Sequence, residues 1–289
     1  EAGAPYVTNS TLERKASGSY YTPEAIVEYI VEHTIGPGLK AHLASLDEDL
    51  RRARAGGPPR AVDAPLTAQE QRLVERIFEF RVLDPAMGSG HFLVAAVDFI
   101  ADRLIDFLNG YPHNPVERML AATRAAIIAS AEAGGVTIDP ARLSAINLLK
   151  RHVLKACLYG VDLNPMAVEL AKVSLWLHCF TLGAPLSFLG HHLKVGNSLV
   201  GETELGDVLQ EGSARWAELE QAIGEYLSVS RQPDATSAEV ADSRQTFTRA
   251  EAKLAALRAR ANAQTARWWL GWSTQDVADA QGLNRAAAS

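Results

Sequence analysis

The residues best suited to chemistry are Asp84, Gly88 and Gly90, in the segment Asp-Pro-Ala-Met-Gly-Ser-Gly-His that follows a short apolar run. This order predicts a strand, a tight loop and a helix, the first unit of a doubly wound α/β fold. Glycines have no Cβ, so a ligand can approach the backbone N–H groups at the start of the helix. A carboxylate at the strand end would repel a pyrophosphate, but it would accept hydrogen bonds from an ammonium group or from hydroxyls. The loop therefore favours a small zwitterionic ligand over a dinucleotide.

A second carboxylate, Asp162, follows the apolar residues 156–161, which we predict to be the next strand. In doubly wound folds that bind nucleosides, an acid at this strand end receives the ribose hydroxyls. Asn164 is predicted to cap the next helix, which we expect to be apolar on most sides. Asp162 lies 78 positions after Asp84, whereas the usual interval is about 20. We therefore expect a helical insertion at about residues 109–152, packed beside the sheet.

Two further segments carry polar groups at predicted element ends. A third strand is predicted at residues 192–195, shortly before Asn197, whose amide offers a donor and an acceptor to the edge of an adenine ring. Upstream, Thr22 is predicted as the N-cap and Pro23 as the first residue of a helix that continues over residues 25–33. The sequence therefore places candidate binding groups at one helix start and at three strand ends.

The order of elements predicts three regions. We expect an N-terminal arm at residues 1–17, an α/β domain at residues 18–201, and a helical hairpin with a tail at residues 202–289. Within the α/β domain, residues 36–66 have the composition of a connecting segment. The buried face of the first helix is predicted to consist of four apolar residues: Ile26, Val27, Ile30 and Val31.

The composition limits the class of protein. The chain has 289 residues, of which 47% are hydrophobic and 21% are charged, with a net charge of −6. No apolar run approaches the roughly 18 residues needed to span a bilayer, and no leader sequence precedes the domain, so we expect a cytoplasmic protein. Cys157 and Cys179 lie in apolar surroundings without metal-ligand spacing, which indicates buried free thiols. Since the chain begins at Glu1, we expect it to be part of a longer protein.

The three strand-end motifs and the helix-start motif together resemble the cofactor motifs of the adenine-N6-specific DNA methyltransferases of restriction-modification and phage-defence systems. The resemblance covers residues 18–201 and implies a Rossmann-like methyltransferase sheet that binds S-adenosyl-L-methionine. It implies that the glycine loop holds the methionine part of the cofactor, that the first helix start holds its carboxylate, and that Asp162 receives the ribose. The implied cofactor-binding residues are Tyr21, Thr22, Pro23, Asp84, Pro85, Ala86, Gly88, Ser89, Gly90, Asp162, Leu163, Asn164, Asn197 and Ser198.

One motif of that family is absent from the chain. The family holds the target amino group with an Asn-Pro-Pro-Tyr or Asn-Pro-Pro-Phe segment, whereas Asn114-Pro115-Val116 and Asn164-Pro165-Met166 lack both the second proline and the aromatic residue. The resemblance therefore implies a catalytically incomplete part of a methyltransferase, with no catalytic residue of its own. Double-stranded DNA would be contacted largely by other parts of the parent protein.

Three other features leave alternatives open. The third glycine of a dinucleotide fingerprint is replaced by Leu93, which counts against a nicotinamide-dependent oxidoreductase without excluding one. The chain could instead be a non-catalytic helical interaction module on a degenerate cofactor fold, which associates through its C-terminal helices. Those helices of residues 202–289 could also associate with the remaining parent domains. The indoles of Trp268, Trp269 and Trp272 could stack on unpaired bases, although such clusters more often pack in a core or an interface.

Overall fold

The computed structural model of the protein describes residues 22–55, 60–201 and 214–270. The helices are α1 (Glu24–Ala55), α2 (Ala68–Ile77), α3 (His91–Leu108), α4 (Pro115–Ala133), α5 (Ala145–Cys157), α6 (Pro165–His178), α7 (Ala214–Arg231) and α8 (Ser237–Leu270), and the strands are β1 (Val82–Asp84), β2 (Leu158–Asp162) and β3 (Leu193–Val195). A short 3₁₀ helix at Pro140–Arg142 lies between α4 and α5. The chain divides into two compact groups of segments, which are described separately.

The first group contains a parallel three-stranded sheet in the order β1-β2-β3. Val82 pairs with Leu158 and Gly160 with Leu193, so the carboxyl ends of all three strands meet at one edge of the sheet. The expected α/β class is confirmed at this level, and a complete doubly wound sheet stays a prediction. The boundary of the second strand is corrected, because Ala156 and Cys157 belong to the end of α5.

Helix α3 lies at the centre of this group. It begins at His91 directly after the glycine loop, as the sequence predicts, and it packs against α1, α5 and α6. Its buried side chains recur at helical spacing, as expected for a helix that is covered on several sides. These residues are Leu93, Ala96, Val97, Ile100, Ala101, Leu104 and Leu108.

The prediction for residues 36–66 was wrong over residues 36–55, because α1 continues through Gly36-Pro37-Gly38 to Ala55. Packing explains the difference from the sequence pattern. The two glycines lie close to aromatic rings, and a Cβ built on Gly36 would be 3.4 Å from the ring of Phe99. Apolar residues then recur on the buried side of the helix beyond the proline. These residues are Leu39, Leu43, Leu46 and Leu50.

The buried face predicted for the start of α1 is also corrected. Val27 and Val31 are buried, whereas Ile26 is 50% exposed and Ile30 is 39% exposed. A helix that is packed on one side buries a narrow stripe, and the residues beside this stripe remain in solvent.

The second group contains the helical hairpin that the sequence predicts, made of α7 and α8. Its turn contains Asp234, which is fully buried and accepts hydrogen bonds from the N–H of Phe188 (2.9 Å) and from the hydroxyl of Ser243 (2.7 Å). His192 contacts Ser230 at 3.0 Å. The hairpin therefore holds the segment that immediately precedes β3. The backbones of Trp268 and Trp269 lie in α8, but their side chains and all of Trp272 lie outside the described residues.

Candidate functional site

The loop between β1 and α3 brings an acid and two left-handed glycines together. The carboxylate of Asp84 accepts a hydrogen bond from the N–H of Ala86 at 3.0 Å, which closes the first turn of the loop. Gly88 has φ +55° and Gly90 has φ +86°, a conformation that side chains with a Cβ disfavour. The N–H of Gly90 donates to the carbonyl of Met87 at 2.8 Å, and α3 follows at once. The two glycines thus make the sharp turn that the sequence predicts.

The two glycines differ in what surrounds them. A Cβ built on Gly90 would lie 3.1 Å from the Cβ and 3.3 Å from the Cα of Ala171 in α6, so this glycine allows the start of α3 to pack closely. A Cβ built on Gly88 would have no neighbouring atom within 4 Å. Open space therefore lies beside the backbone of Gly88, where a ligand could approach.

The carboxylate of Asp162 connects the end of β2 to the glycine loop. One oxygen, Oδ2, accepts from the N–H of Gly88 at 2.8 Å, and Oδ1 accepts from the N–H of Asn164 at 2.8 Å. The N–H of Met87 also donates to the carbonyl of Val161 at 3.0 Å. Each carboxylate oxygen has two lone pairs, so both keep acceptor capacity for a ligand. Asp162 thus holds the loop in place and remains able to receive hydroxyl groups.

The close approach of the loop to β2 depends on a residue pair that the sequence analysis missed. Met87 is only 3% exposed, and a Cβ built on Gly160 would lie 2.2 Å from its sulfur atom. A glycine inside a predicted strand is a known signal of a close approach. Gly160 could therefore have been recognised from the sequence, whereas its neighbour Met87 could not.

The environment of Asp84 includes the charge of Asp162. Burial raises the pKa of Asp84 above its ordinary value, the hydrogen bond from Ala86 partly opposes this, and the nearby charge of Asp162 raises it further. Carboxyl groups whose pKa is raised by burial and by a like charge occur often in functional sites, where a cationic ligand can stabilise the ionised form. The sequence prediction that both acids lie at one edge of the sheet agrees with this geometry.

The other residues of the predicted cofactor site lie after β2 and in the glycine loop. Asn164 caps α6 as predicted, because its side chain accepts from the N–H of Met166 at 3.0 Å. Leu163, beside Asp162, is 69% exposed. Pro85, Ala86 and Ser89 are exposed in the loop.

The helix-start motif is shifted by one residue. The first helical bonds of α1 run from the N–H groups of Ile26 (3.0 Å) and Val27 (3.1 Å) to the carbonyl of Pro23. Pro23 therefore occupies the capping position that the sequence assigned to Thr22, and helix boundaries commonly differ by this amount. Tyr21 lies outside the described residues.

The end of β3 contributes backbone and side-chain turns. The N–H of Gly196 donates to the carbonyl of Asp162 at 2.9 Å. Asn197 and Ser198 belong to the second group, where both are exposed and the Asn197 side chain accepts from the N–H of Leu199 at 2.9 Å. A joint site of Asn197 with the two acids stays a prediction.

A parallel sheet with a glycine loop and acids at adjacent strand ends also occurs in α/β proteins that bind nucleoside-containing ligands. Residues 63–190, which include the loop and both acids, match the family model of the MmeI DNA-methyltransferase domain. The chain is also similar to a protein of Methanocaldococcus jannaschii named "Putative type II restriction enzyme and methyltransferase". The two are 26% identical over 214 residues, which cover 65% of this chain and 15% of that relative. No solved structure matches the chain significantly. The two matches support a DNA methyltransferase domain.

Three further observations concern other kinds of site. Within residues 22–55, 60–201 and 214–270, no group of three or more His, Cys, Asp or Glu residues could hold a metal ion. None of the helices in these ranges combines the length and the apolar character that crossing a bilayer requires. Both cysteines are buried, and burial raises the pKa of each thiol to about 12, so neither is a reactive thiolate at neutral pH.

Proposed function

We propose that this chain is the S-adenosyl-L-methionine-binding part of a DNA methyltransferase that modifies the N6 amino group of adenine. The observation that carries the proposal is the Asp162 carboxylate, which bonds the N–H of Gly88 while lying next to Asp84 at the neighbouring strand end. This arrangement joins an anionic side chain, an open glycine backbone and a hydroxyl acceptor in one place. The adenine specificity is supported by the order of motifs and by their resemblance to adenine-N6 methyltransferases.

The residues fit the chemical groups of this cofactor. Asp84 would accept from the ammonium of the methionine part, and the open backbone at Gly88 would lie against that part. Asp162 would accept from the ribose hydroxyls with its remaining lone pairs. The exposed apolar side chain of Leu163 would cover one face of the adenine. The cofactor, when bound, supplies the activated methyl group.

The pair of carboxylates also favours this ligand over NAD. The cofactor carries an ammonium and a sulfonium charge, which two nearby carboxylates attract, whereas the pyrophosphate of NAD would be repelled.

The chain's relation to DNA is part of the same proposal. We expect double-stranded DNA to be held largely by other parts of the parent protein, since the chain has a net charge of −6.

Isothermal titration of the 289-residue chain with S-adenosyl-L-methionine tests the proposal, with NAD as the competing ligand. We expect saturable binding of the first and no detectable binding of the second. Asp162→Ala removes both the loop bond and the hydroxyl acceptor, so affinity for S-adenosyl-L-methionine should fall at least about tenfold, the loss expected for one charge-assisted hydrogen bond.

Asp139→Ala is the matched control for this substitution. Its carboxylate also accepts from an N–H two residues further on, that of Ala141 at 2.9 Å. This control should leave the affinity unchanged. Undetectable binding by the folded wild-type chain would overturn the proposal.

A further inference from the structure

The glycine loop is attached to the sheet by the side chain of Met87. This residue is only 3% exposed, whereas Pro85, Ala86 and Ser89 of the same loop are exposed. Methionine is unbranched and has a polarizable thioether, so its side chain can fill an irregular space that a branched residue would not fit. Met87 therefore joins an exposed loop to the interior, and the residue beneath it determines how close the loop lies.

The space for this side chain is provided by Gly160 in β2. A Cβ built at this position would lie 2.2 Å from the sulfur atom of Met87, 3.0 Å from Leu93 in α3 and 3.2 Å from Leu193 in β3. The first distance is far shorter than a van der Waals contact, so the thioether occupies the place that any other side chain would need. Met87 and Gly160 are therefore matched in size.

The backbone of Met87 approaches the same strand. Its N–H donates to the carbonyl of the residue after Gly160 at 3.0 Å, and the next N–H, that of Gly88, donates to Oδ2 of Asp162 at 2.8 Å. Gly160 pairs with Asp84 in the register of the sheet. The contact between Met87 and Gly160 therefore lies beside the first acid and two residues before the second.

A displaced loop would change the candidate site directly. If the loop lay further from β2, the hydrogen bond between Gly88 and Asp162 would lengthen, and the carboxylate would lose a donor that fixes its orientation. A residue that served folding alone would not have this effect, because its loss would lower stability without changing the geometry of the folded site. The two roles therefore differ in what they do to ligand affinity and to the Gly88 hydrogen bond.

We propose that Met87 is a positioning residue for the candidate cofactor site and acts through its fit against Gly160. It holds the glycine loop at the distance from β2 at which the N–H of Gly88 bonds Asp162. This role rests on the proposed function for the identity of the ligand, S-adenosyl-L-methionine. Met87 acts on the ligand only through Gly88 and Asp162, so the position of the loop can be measured without any ligand.

A double-mutant cycle in the 289-residue chain tests the fit of the two residues. Gly160→Ala forces the loop away from β2, and Met87→Ala removes the side chain that holds it. Each should weaken binding of S-adenosyl-L-methionine about tenfold, as for loss of one charge-assisted hydrogen bond. In the double variant the added methyl group occupies part of the space left by the thioether, so the loss should be smaller than in either single variant. Independent effects would instead multiply to about a hundredfold.

Hydrogen exchange at the Gly88 amide, followed by NMR without any ligand, reports the position of the loop. In the wild-type chain this N–H is protected by its bond to Asp162. Exchange should be at least about tenfold faster in each single variant, because local opening exposes the amide. It should return towards the wild-type rate in the double variant. Circular dichroism and the unfolding temperature establish that each variant is folded.

Two control variants separate positioning from general destabilisation. Met87→Leu keeps a side chain of similar volume and should stay within about threefold of the wild-type affinity. Gly190→Ala creates a comparable overlap in the second group, because its Cβ would lie 2.9 Å from the ring of Phe188. It should lower the unfolding temperature and leave the affinity and the Gly88 exchange rate unchanged. If Gly160→Ala does not fold, the contrast between Met87→Ala and Met87→Leu carries the test.

Two results would overturn this role of Met87. The first is a double variant in which the two single losses of affinity multiply, and the second is wild-type exchange at Gly88 in both single variants. Either result would make Met87 a core residue that serves stability alone. A wild-type chain that binds no S-adenosyl-L-methionine would instead overturn the proposed function, and hydrogen exchange would still decide whether Met87 holds the loop.

Discussion

At the scale of single residues, the raised pKa of Asp84 links stability to ligand binding. Burial and the charge of Asp162 disfavour the ionised form in the folded protein. Because the folded pKa lies above the unfolded one, the folded state binds more protons within the interval between them, and stability falls as pH rises through it. At neutral pH the ionised carboxylate therefore costs folding free energy. Such a cost is expected where a side chain is kept for a ligand and not for the fold.

Asp84→Asn should separate these two effects. The amide oxygen can still accept from the N–H of Ala86, but the charge is lost. We expect the unfolding free energy at neutral pH to rise, while affinity for S-adenosyl-L-methionine falls at least about tenfold, as for loss of one charge-assisted hydrogen bond. The wild-type affinity should also weaken as pH falls through the raised pKa, and this dependence should be absent in the variant. Urea titrations and calorimetric titrations at several pH values measure both quantities; a variant that is less stable and binds normally would contradict the assignment.

The two loop glycines provide a second test at the residue scale. Gly88→Ala and Gly90→Ala both place a Cβ on a left-handed backbone, which costs about 1–2 kcal/mol. Gly90→Ala should destabilise the protein more, because its Cβ also meets Ala171 of α6 at 3.1 Å. Gly88→Ala should instead reduce cofactor affinity more than it reduces stability, since its Cβ enters the open space beside the loop. Denaturant unfolding measures the loss of stability in each variant, and calorimetric titration measures the loss of cofactor affinity. If the ratio of affinity loss to stability loss is the same in both variants, a ligand surface at Gly88 is contradicted.

At the scale of elements, local signals predicted helix starts better than helix ends. The start of α3 after Gly90 is found where the sequence places it, and α2 begins with a capping box of Thr67 and Glu70. Both features depend on neighbouring residues alone. The length of α1 was not predictable in this way. Gly36, Pro37 and Gly38 have low helix propensity, and only the close packing of the glycines on aromatic rings explains why the helix continues.

The ion pairs of Glu70 give a prediction at this scale. Glu70 lies in the first turn of α2. It pairs with Arg60 at 2.7 Å and with Arg118, whose side chain is only 4% exposed. Burial alone would raise the pKa of Glu70, but hydrogen bonds from Thr67 and the charges of both arginines lower it below its ordinary value. Stability from this group is therefore present above the ordinary pKa of glutamate, and it is lost as pH falls through the lowered folded pKa.

Glu70→Gln should destabilise the protein by about 2–4 kcal/mol, because it leaves the buried guanidinium of Arg118 without a counter-charge. Glutamine preserves the capping box, so the loss isolates the charge. Glu48→Gln removes the exposed pair with Arg52, whose side chains are 64% and 70% exposed, and should cost less than about 0.5 kcal/mol. Urea unfolding of both variants at neutral and acidic pH measures the difference. Equal costs for the two substitutions would show that the buried pair stabilises the protein no more than the exposed pair does.

At the scale of the whole molecule, the sequence predicted the neighbourhood of Asp84 and Asp162, but not what surrounds it. Parallel strands place their carboxyl ends together whatever the length of chain between them. The prediction that Asp84 and Asp162 lie at neighbouring strand ends therefore does not depend on the length of the insertion. The exposure of apolar residues on α6, such as Met166 and Leu177, was not predictable, because apolar spacing on a helix does not reveal which face the rest of the molecule covers. The position of Asn197 relative to the acids depends on how β3 joins the second group, which no local pattern encodes.

The methyl-transfer reaction provides a test at the scale of the whole molecule. Methyl transfer to adenine requires the base to leave the stack and its amino nitrogen to be held in line with the methyl group. In the family that the chain resembles, the Asn-Pro-Pro-Tyr or Asn-Pro-Pro-Phe segment does this, and the chain lacks that segment. We therefore expect the 289-residue chain to bind S-adenosyl-L-methionine and yet transfer no radiolabelled methyl group to double-stranded DNA. A longer parent polypeptide that contains the segment should yield N6-methyladenine, detected by mass spectrometry of digested DNA. Methyl incorporation by the 289-residue chain alone would mean that its own residues hold the target base, and the division between cofactor binding here and catalysis elsewhere would be wrong.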